Sequence, residues 1–323
     1  MPKKIAQTSS DKSHFDGLNI LFVFIFALVL LFLPSQNYYA FKFAYGQEKT
    51  FFTPLPLVKP APLPKNIAQF LPLEMTAQGA LVVDIGSRIR LYEKNPTLRF
   101  LPASTTKIMT ALVALENYRL DEVIEVKNLL DEGQKMDLVL GEKITVENLL
   151  YGILVHSAND AAQVLAEHDP SGSAGFINKM NQKAIDLNLT NTHFTNPIGL
   201  DDSNHYTSAE DLAKLSLYAL HNPVFKKMVG LPQITVADTT FTTFHTLKNI
   251  NELLGKIPGV SGVKTGWTIL AGQSLVTRLQ RDGHEVLIVL LKSEDRFGET
   301  ENLVNWIFQN FRWEEVIVPS ILP

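Results

Sequence analysis

"LPASTTKIMTALVAL", residues 101–115, starts as a loop and ends as an apolar helix. Ile108, Met109, Leu112, Val113 and Leu115 recur at helical spacing, which predicts a helix packed into a core. At its start stand Ser104 and Lys107, three positions apart and so on one helical face, where a hydroxyl and an amine can touch. Serine is also a common N-cap, a first-turn lysine often points into water, and a bare S-x-x-K arises by chance in chains of this size. The pair gains meaning only from the rest of the chain.

With 323 residues the chain holds one large domain or two small ones. A net charge of −4, with no basic run carrying interleaved aromatics, points away from a nucleic-acid partner. The chain has no cysteine, which excludes disulfides, thiolate metal sites and a cysteine nucleophile. The eight histidines match no metal motif such as H-E-x-x-H, so neither metal nor cofactor is expected. His156, beside Ser157, reads as a packing or solvated residue.

Lys3, Lys4 and Lys12 precede an uncharged, almost wholly apolar run, residues 17–34, "GLNILFVFIFALVLLFLP". A basic start before such a run fits a secretory signal or an uncleaved membrane anchor, although the run is slightly short for a full span. The bulky region after it, "SQNYYAFKFAYG", offers no clean small-x-small cleavage site and favours the anchor. Residues 1–16 are then cytoplasmic and the remainder lies on the extracytoplasmic face. Five prolines between Pro54 and Pro64 favour extended polyproline II, so residues 35–69 read as a spacer and the folded domain as residues 70–316, with a short tail at 317–323.

Residues 79–95 alternate and turn at Ile85-Gly86-Ser87, a hairpin. Thr145 reads as the N-cap of a buried helix over 144–155, and helix resumes after "HSAND". Thr207 and Glu210 read as a capping box. "GVSGVKTGW", "GQSLVTRLQ" and "EVLIVLLK" read as strands, the last two joined at Asp282-Gly283, and "GETENLVNWIFQNF" as a closing helix. Sheet pieces at both ends of the chain with helices between them predict an α+β fold, one antiparallel sheet flanked by helices around a helical middle.

Two further short motifs then matter. Ser157-Ala158-Asn159 falls in the break between two apolar helices, and Lys264-Thr265-Gly266 at the end of a strand. S-x-x-K, S-x-N and K-T-G in this order are the signature of penicillin-interacting serine enzymes. From about residue 74 to 312 the chain resembles the D-alanyl-D-alanine carboxypeptidases among the low-molecular-mass penicillin-binding proteins, serine peptidase family S11. "ASTTKIMTALVALE", "LLYGILVHSANDAAQVLAEH", "FTNPIGLDDSNHYTSAEDLAKLS" and "GVSGVKTGWTILAGQSL" all look like blocks of that family. The resemblance implies a β-lactamase/transpeptidase-like fold. Many members carry a second β-rich domain, which is not expected in the eleven residues after Arg312.

A serine hydroxyl needs a base within reach, and no histidine occupies a motif position, so Lys107 is the candidate. Such a lysine must lie far below its ordinary pKa of about 10.4, through burial and a second cation, Lys264. Ser157 would pass the proton from Lys107 to the leaving amine. By resemblance, Asn159 binds the substrate backbone, Lys264 with Thr265 receives its terminal carboxylate, Gly266 is a further substrate-binding residue, and the N–H groups of Ser104 and Trp267 form the oxyanion hole. Arg296 aligns with an arginine that helps hold that carboxylate; a surface arginine near a helix start is the other reading.

The implied activity is removal of the terminal D-alanine from peptidoglycan stem pentapeptides through an acyl-Ser104 ester, with β-lactam antibiotics as inhibitors. Two other readings share the motifs. A class A β-lactamase would need an E-x-x-L-N loop, and Glu167 and Glu210 are followed by other residues. A catalytically silent peptidoglycan-binding module would not need the motifs intact.

Overall fold

The structure is a computed structural model that describes residues 15–32, 60–67 and 74–316. Two compact units divide the chain after Lys59. In the first, α1 (Phe15–Phe32) is an 18-residue helix whose side chains from Ile20 to Val29 are all exposed. No helix among the described residues is long and apolar enough to cross a membrane. Eighteen residues rise about 27 Å, just under the ~30 Å hydrocarbon core. Lys3, Lys4 and Lys12, most of the spacer expected at 35–69, and the tail at 317–323 lie outside the described residues.

The second unit is built on five antiparallel strands in the order β3-β2-β10-β9-β8. These are β2 (Gly79–Asp84), β3 (Arg90–Lys94), β8 (Val260–Thr268), β9 (Gly272–Arg281) and β10 (His284–Ser293). Side chains alternate across a strand, and β10 displays this clearly. Leu287, Val289 and Leu291 pack into the larger core with the helical middle, whereas Val286, Ile288 and Leu290 pack into a smaller core. The smaller core is closed by α8 (Arg296–Asn310) through Leu303, Val304 and Ile307. The sheet is thus buried on both faces, which accounts for the continuous apolar runs in its central strands.

The helical middle comprises α2 (Lys107–Asn117), α3 (Val146–Leu154), α4 (Asn159–Glu167), α5 (Gly172–Asp186), α6 (Ala209–Ala219) and α7 (Pro223–Val229). Ile108, Met109, Leu112 and Val113 of α2 are all within 2% of full burial, which places this helix at the centre of the larger core. Burying side chains of this size contributes about 1.5–3 kcal/mol each. The unit also holds two small two-stranded sheets: β4 (Val123–Glu125) with β5 (Lys143–Thr145), and β6 (Gln233–Ala237) with β7 (Phe244–Lys248).

Thr145 caps α3 as expected, its hydroxyl accepting from Asn148 N at 3.3 Å. The cap of α6 is one residue later than the sequence suggested. Ser208 accepts from Asp211 N at 3.2 Å, while Thr207 is held in a bridge to Phe100, whose N–H donates to Thr207 O at 2.7 Å. A second difference is larger. β1 (Leu63–Asn66) lies inside the run read as spacer, yet it pairs antiparallel with β11 (Phe311–Glu314). The folded unit therefore begins at Pro60 rather than at residue 70. Proline is compatible with this because β1 belongs to a two-stranded ribbon, where one side needs no ladder hydrogen bonds.

Candidate active site

Three elements meet at the S-x-x-K turn. Ala103–Thr106 forms one 3-10 turn that feeds directly into α2, so Ser104 stands at the helix entrance and Lys107 is its first residue. Ser157 occupies the break between α3 and α4, and Asn159 begins α4. Lys264-Thr265-Gly266 lies within β8, the edge strand nearest the helical middle. The structure thus brings all three motifs to one cleft of about 530 Å³, lined by Ser104, Ser157, Asn159, Thr265, Gly266, Trp267 and Arg296 among others.

Close backbone approach assembles this junction. A Cβ at Gly266 would sit 3.0 Å from Pro102 O and 3.1 Å from Ser104 N, so glycine lets β8 press against the serine turn without crowding it. On the other side Gly199, at φ +89°, packs its α-carbon against the Ala103 carbonyl, where any Cβ would collide. Ala103 and Ser157 themselves adopt left-handed backbones, φ +48° and +62°. Such conformations cost about 1–3 kcal/mol in a non-glycine residue and persist only where surrounding contacts impose them. Here they flank the nucleophile candidate and aim the second serine.

Lys107 is completely buried and makes three hydrogen bonds through Nζ: to Ser104 Oγ at 3.0 Å, Asn159 Oδ1 at 2.7 Å and the Ile198 carbonyl at 2.8 Å. Two of these partners can only accept. The orientation of the Asn159 amide is fixed by its other end, where Nδ2 donates to Glu132 O at 3.1 Å. A neutral amine has two N–H groups and one lone pair. Both N–H groups are claimed by Asn159 Oδ1 and Ile198 O, so the lone pair is left facing the Ser104 hydroxyl. Burial lowers the Lys107 pKa to about 7, against a smaller upward pull from Asp160. The sequence had assigned this lowering partly to Lys264; burial is its principal cause.

Lys264 Nζ donates to Ser157 Oγ at 2.8 Å and to the Thr265 carbonyl at 3.1 Å. Burial first, then repulsion from Lys107 and Arg296, pushes it well below the usual ammonium range. Thr265 Oγ1 and Arg296 Nε are both buried without a hydrogen-bond partner among the described residues. Arg296, half-buried at the start of α8, lines the cleft, and its Nη1 donates to the Gly266 carbonyl at 2.8 Å. The expected substrate-backbone contact of Asn159 is half committed elsewhere, since its oxygen holds Lys107 and one Nδ2 hydrogen remains for a ligand.

Sequence reasoning missed three supports of this arrangement. The Ile198 carbonyl is presented by a turn in which Asn196 Oδ1 accepts from the N–H groups of Ile198, Gly199 and Leu200. The signal was the Asn-Pro-x-Gly run, which marks a tight turn but not what its carbonyls reach. Asp160 accepts from Met136 N and Leu138 N and so anchors the loop that carries Gly133 and Gln134 into the cleft. His205, fully buried, accepts from Thr195 N through Nδ1, which leaves Nε2–H to donate to Thr106 Oγ1 at 2.8 Å beneath the serine turn. Burial lowers its pKa to about 4, so it is neutral near pH 7. Among the described residues no group of acidic, histidine or cysteine side chains could hold a metal ion.

Comparison with known proteins agrees with this geometry. The family model for D-alanyl-D-alanine carboxypeptidase, peptidase S11, matches residues 65–295. The D-alanyl-D-alanine carboxypeptidase DacF of Bacillus subtilis is 31% identical over 245 residues, covering 73% of this chain and 63% of that protein. The D-alanyl-D-alanine carboxypeptidase of Streptomyces sp. strain K15 is 33% identical over 255 residues, 72% of this chain and 88% of that protein. The crystal structure of the Streptomyces K15 DD-transpeptidase superposes with a TM-score of 0.69 at 32% identity, covering 74% of this chain and all of that one. The fold is the α+β arrangement of the penicillin-binding DD-peptidases, and the chain belongs to the D-alanyl-D-alanine carboxypeptidase family, peptidase S11.

Proposed function

We propose that this protein is a serine-type D-Ala-D-Ala carboxypeptidase that removes the terminal D-alanine from peptidoglycan stem pentapeptides. The observation that carries this reading is the Lys107 amine, near pKa 7, with its lone pair directed at Ser104 Oγ by two obligate acceptors. Lys107 takes the Ser104 proton as the oxygen attacks the penultimate D-alanine carbonyl. The N–H groups of Ser104 and Trp267 receive the developing oxyanion, a role supported by the close approach of β8 to the Ser104 backbone. Ser157, held by Lys264, relays the proton that Lys107 has taken up to the departing D-alanine amine, which returns Lys107 to its neutral form. The unpartnered Thr265 hydroxyl and Arg296 Nε–H suit the terminal carboxylate. Water then hydrolyses the acyl-Ser104 ester. Release of one D-alanine per pentapeptide, lost in Ser104→Ala, is the direct test; unchanged release by that variant contradicts the mechanism.

We further propose that the protein acts at the extracytoplasmic face of the bacterial membrane, with residues 17–34 as its anchor and the chain up to Lys59 as a tether. Support comes from the uncharged run after Asp16, its basic flank and the exposed apolar side chains of α1. Cell fractionation tests this. Full-length protein released only by detergent agrees, and mature protein in the medium beginning beyond residue 34 indicates a cleaved signal instead.

A further inference from the structure

His245 lies outside the cleft, on β7, and is only 5% exposed. Both of its ring nitrogens meet atoms of the loop before β5. Nδ1 lies 2.8 Å from the Met136 carbonyl, and Nε2 lies 2.8 Å from Glu142 Oε1. A carbonyl and a carboxylate can only accept, so an imidazolium, donating from each nitrogen, is the form that makes both bonds. Neutral imidazole has one N–H, and its bare nitrogen would face an acceptor's lone pairs. Glu142 is as buried as His245, so water does not replace the lost bond.

The loop held in this way is the one that grips Asn159. Gln134 O accepts from Asn159 N at 2.7 Å, and Glu132 O accepts from Asn159 Nδ2 at 3.1 Å. Asn159 Oδ1 in turn directs Lys107. Two residues beyond Gln134, Met136 is fixed from both sides, its N–H by Asp160 Oδ1 at 3.1 Å and its carbonyl by His245. Glu142 closes the far end of the loop, where Oε2 accepts from Val139 N at 2.9 Å.

The hydrogen bond to Glu142 raises the His245 pKa above the ordinary 6.5; burial opposes this, and the charges of Glu142 and Asp160 reinforce it. From β6 an apolar residue, Val236, pairs with it. His156, the other histidine at this loop, accepts from Gln134 Nε2 and donates through Nδ1 to Lys248 O. Neutral imidazole already satisfies His156, so its proton is not the one that matters here.

We propose that His245 is a positioning residue for Lys107, acting as an imidazolium through the loop before β5 and through Asn159. Loss of its proton breaks the bond to Met136 O or to Glu142. The grip on Asn159 then loosens, and the Lys107 lone pair turns away from Ser104. The enzyme thus needs Lys107 neutral and His245 charged, which gives kcat/KM an alkaline limb as well as an acidic one. This rests on the carboxypeptidase reading and adds an upper pH limit to the same site.

The test is Glu142→Gln in the full-length protein, with kcat/KM for a D-Ala-D-Ala peptide measured from pH 6 to 10. Glutamine keeps an acceptor for Val139 N and offers an amide N–H to His245 Nε2, so neutral imidazole then makes both bonds. In the unmodified protein kcat/KM should fall about three- to tenfold as His245 loses its proton. In Glu142→Gln that step should be absent. NMR of the ring nitrogens, with His245 assigned through β7, should show it titrating above 6.5 in the unmodified protein. In Glu142→Gln the same ring should be neutral at pH 7, with its proton on Nδ1. A profile without the step overturns the proposal, as does a step that Glu142→Gln leaves unchanged. Titration of His245 at or below 6.5 overturns it without need of a variant. Absence of turnover at every pH contradicts the carboxypeptidase reading itself, a result distinct from turnover that ignores His245.

Discussion

The Lys107 amine lies closer to Asn159 than to the nucleophile, 2.7 Å from Asn159 Oδ1 and 3.0 Å from Ser104 Oγ. The asparagine thereby decides which way the lysine lone pair faces. Asn159→Ala should lower kcat/KM about 10- to 100-fold, since a misdirected base loses most of its advantage. Asn159→Asp should act differently. A carboxylate 2.7 Å from the amine favours the ammonium form and moves the acidic limb of the pH–rate profile upward by more than one unit. Steady-state profiles of the two variants check this; matching profiles would assign Asn159 to substrate binding alone.

In the unmodified enzyme the base must be neutral to work. With the Lys107 pKa lowered to about 7, kcat/KM should rise with pH through that value and fall about tenfold per unit below it. A profile flat from pH 5 to 8 would contradict a lysine base of this kind.

Ser104→Ala and Lys107→Ala should each cost at least about a thousandfold, and the double variant should be little worse than either, because the pair acts as one unit. Additive losses in the three kinetic measurements would mean separate roles.

Arg296→Ala should weaken catalysis about 10- to 100-fold on peptides with a free terminal carboxylate, the cost of a lost charged hydrogen bond. An amidated analogue should barely respond. Equal losses on both substrates would make the bond from Arg296 to the Gly266 carbonyl its main task.

His205 gives a stability prediction with a defined sign. Its folded pKa, about 4, lies below the unfolded value of 6.5, so the unfolded chain binds the extra proton first. Stability is therefore full above pH 6.5 and erodes as pH falls toward 4, by up to about 3 kcal/mol. His205→Gln can keep both hydrogen bonds without titrating. Urea melts at pH 7 and pH 4.5 should show a smaller acid loss for the variant than for the unmodified protein, and equal losses would remove His205 from the account.

What the sequence revealed followed the physics of local patterns. The helix after Ser104, the Thr145 cap and the turn at Asp282-Gly283 are each written within a few neighbouring residues, and each is found in the structure. The convergence of Ser104, Ser157 and Lys264 was readable only because three spaced motifs occurred in one order. Leu63–Asn66 was misplaced because proline-rich sequence carries no strand alternation, and its partner at Phe311–Glu314 is at the far end of the chain. The Ile198 carbonyl was invisible for another reason: a backbone acceptor has no residue type to betray it. Burial of Lys107, the principal cause of its lowered pKa, likewise emerges only once α2, α4 and the turn at Ile198 close around it.

The most direct test of an acylated Ser104 is mass spectrometry of the intact protein after brief exposure to penicillin, followed by peptide mapping. The lactam offers a strained amide beside a carboxylate, so the activated hydroxyl should open the ring and retain the product as an ester. The account predicts one penicilloyl group per chain, on the peptide containing Ser104, slow to clear and absent from Lys107→Ala. Rapid clearance with many turnovers would indicate a β-lactamase, and no adduct at all would contradict an activated Ser104.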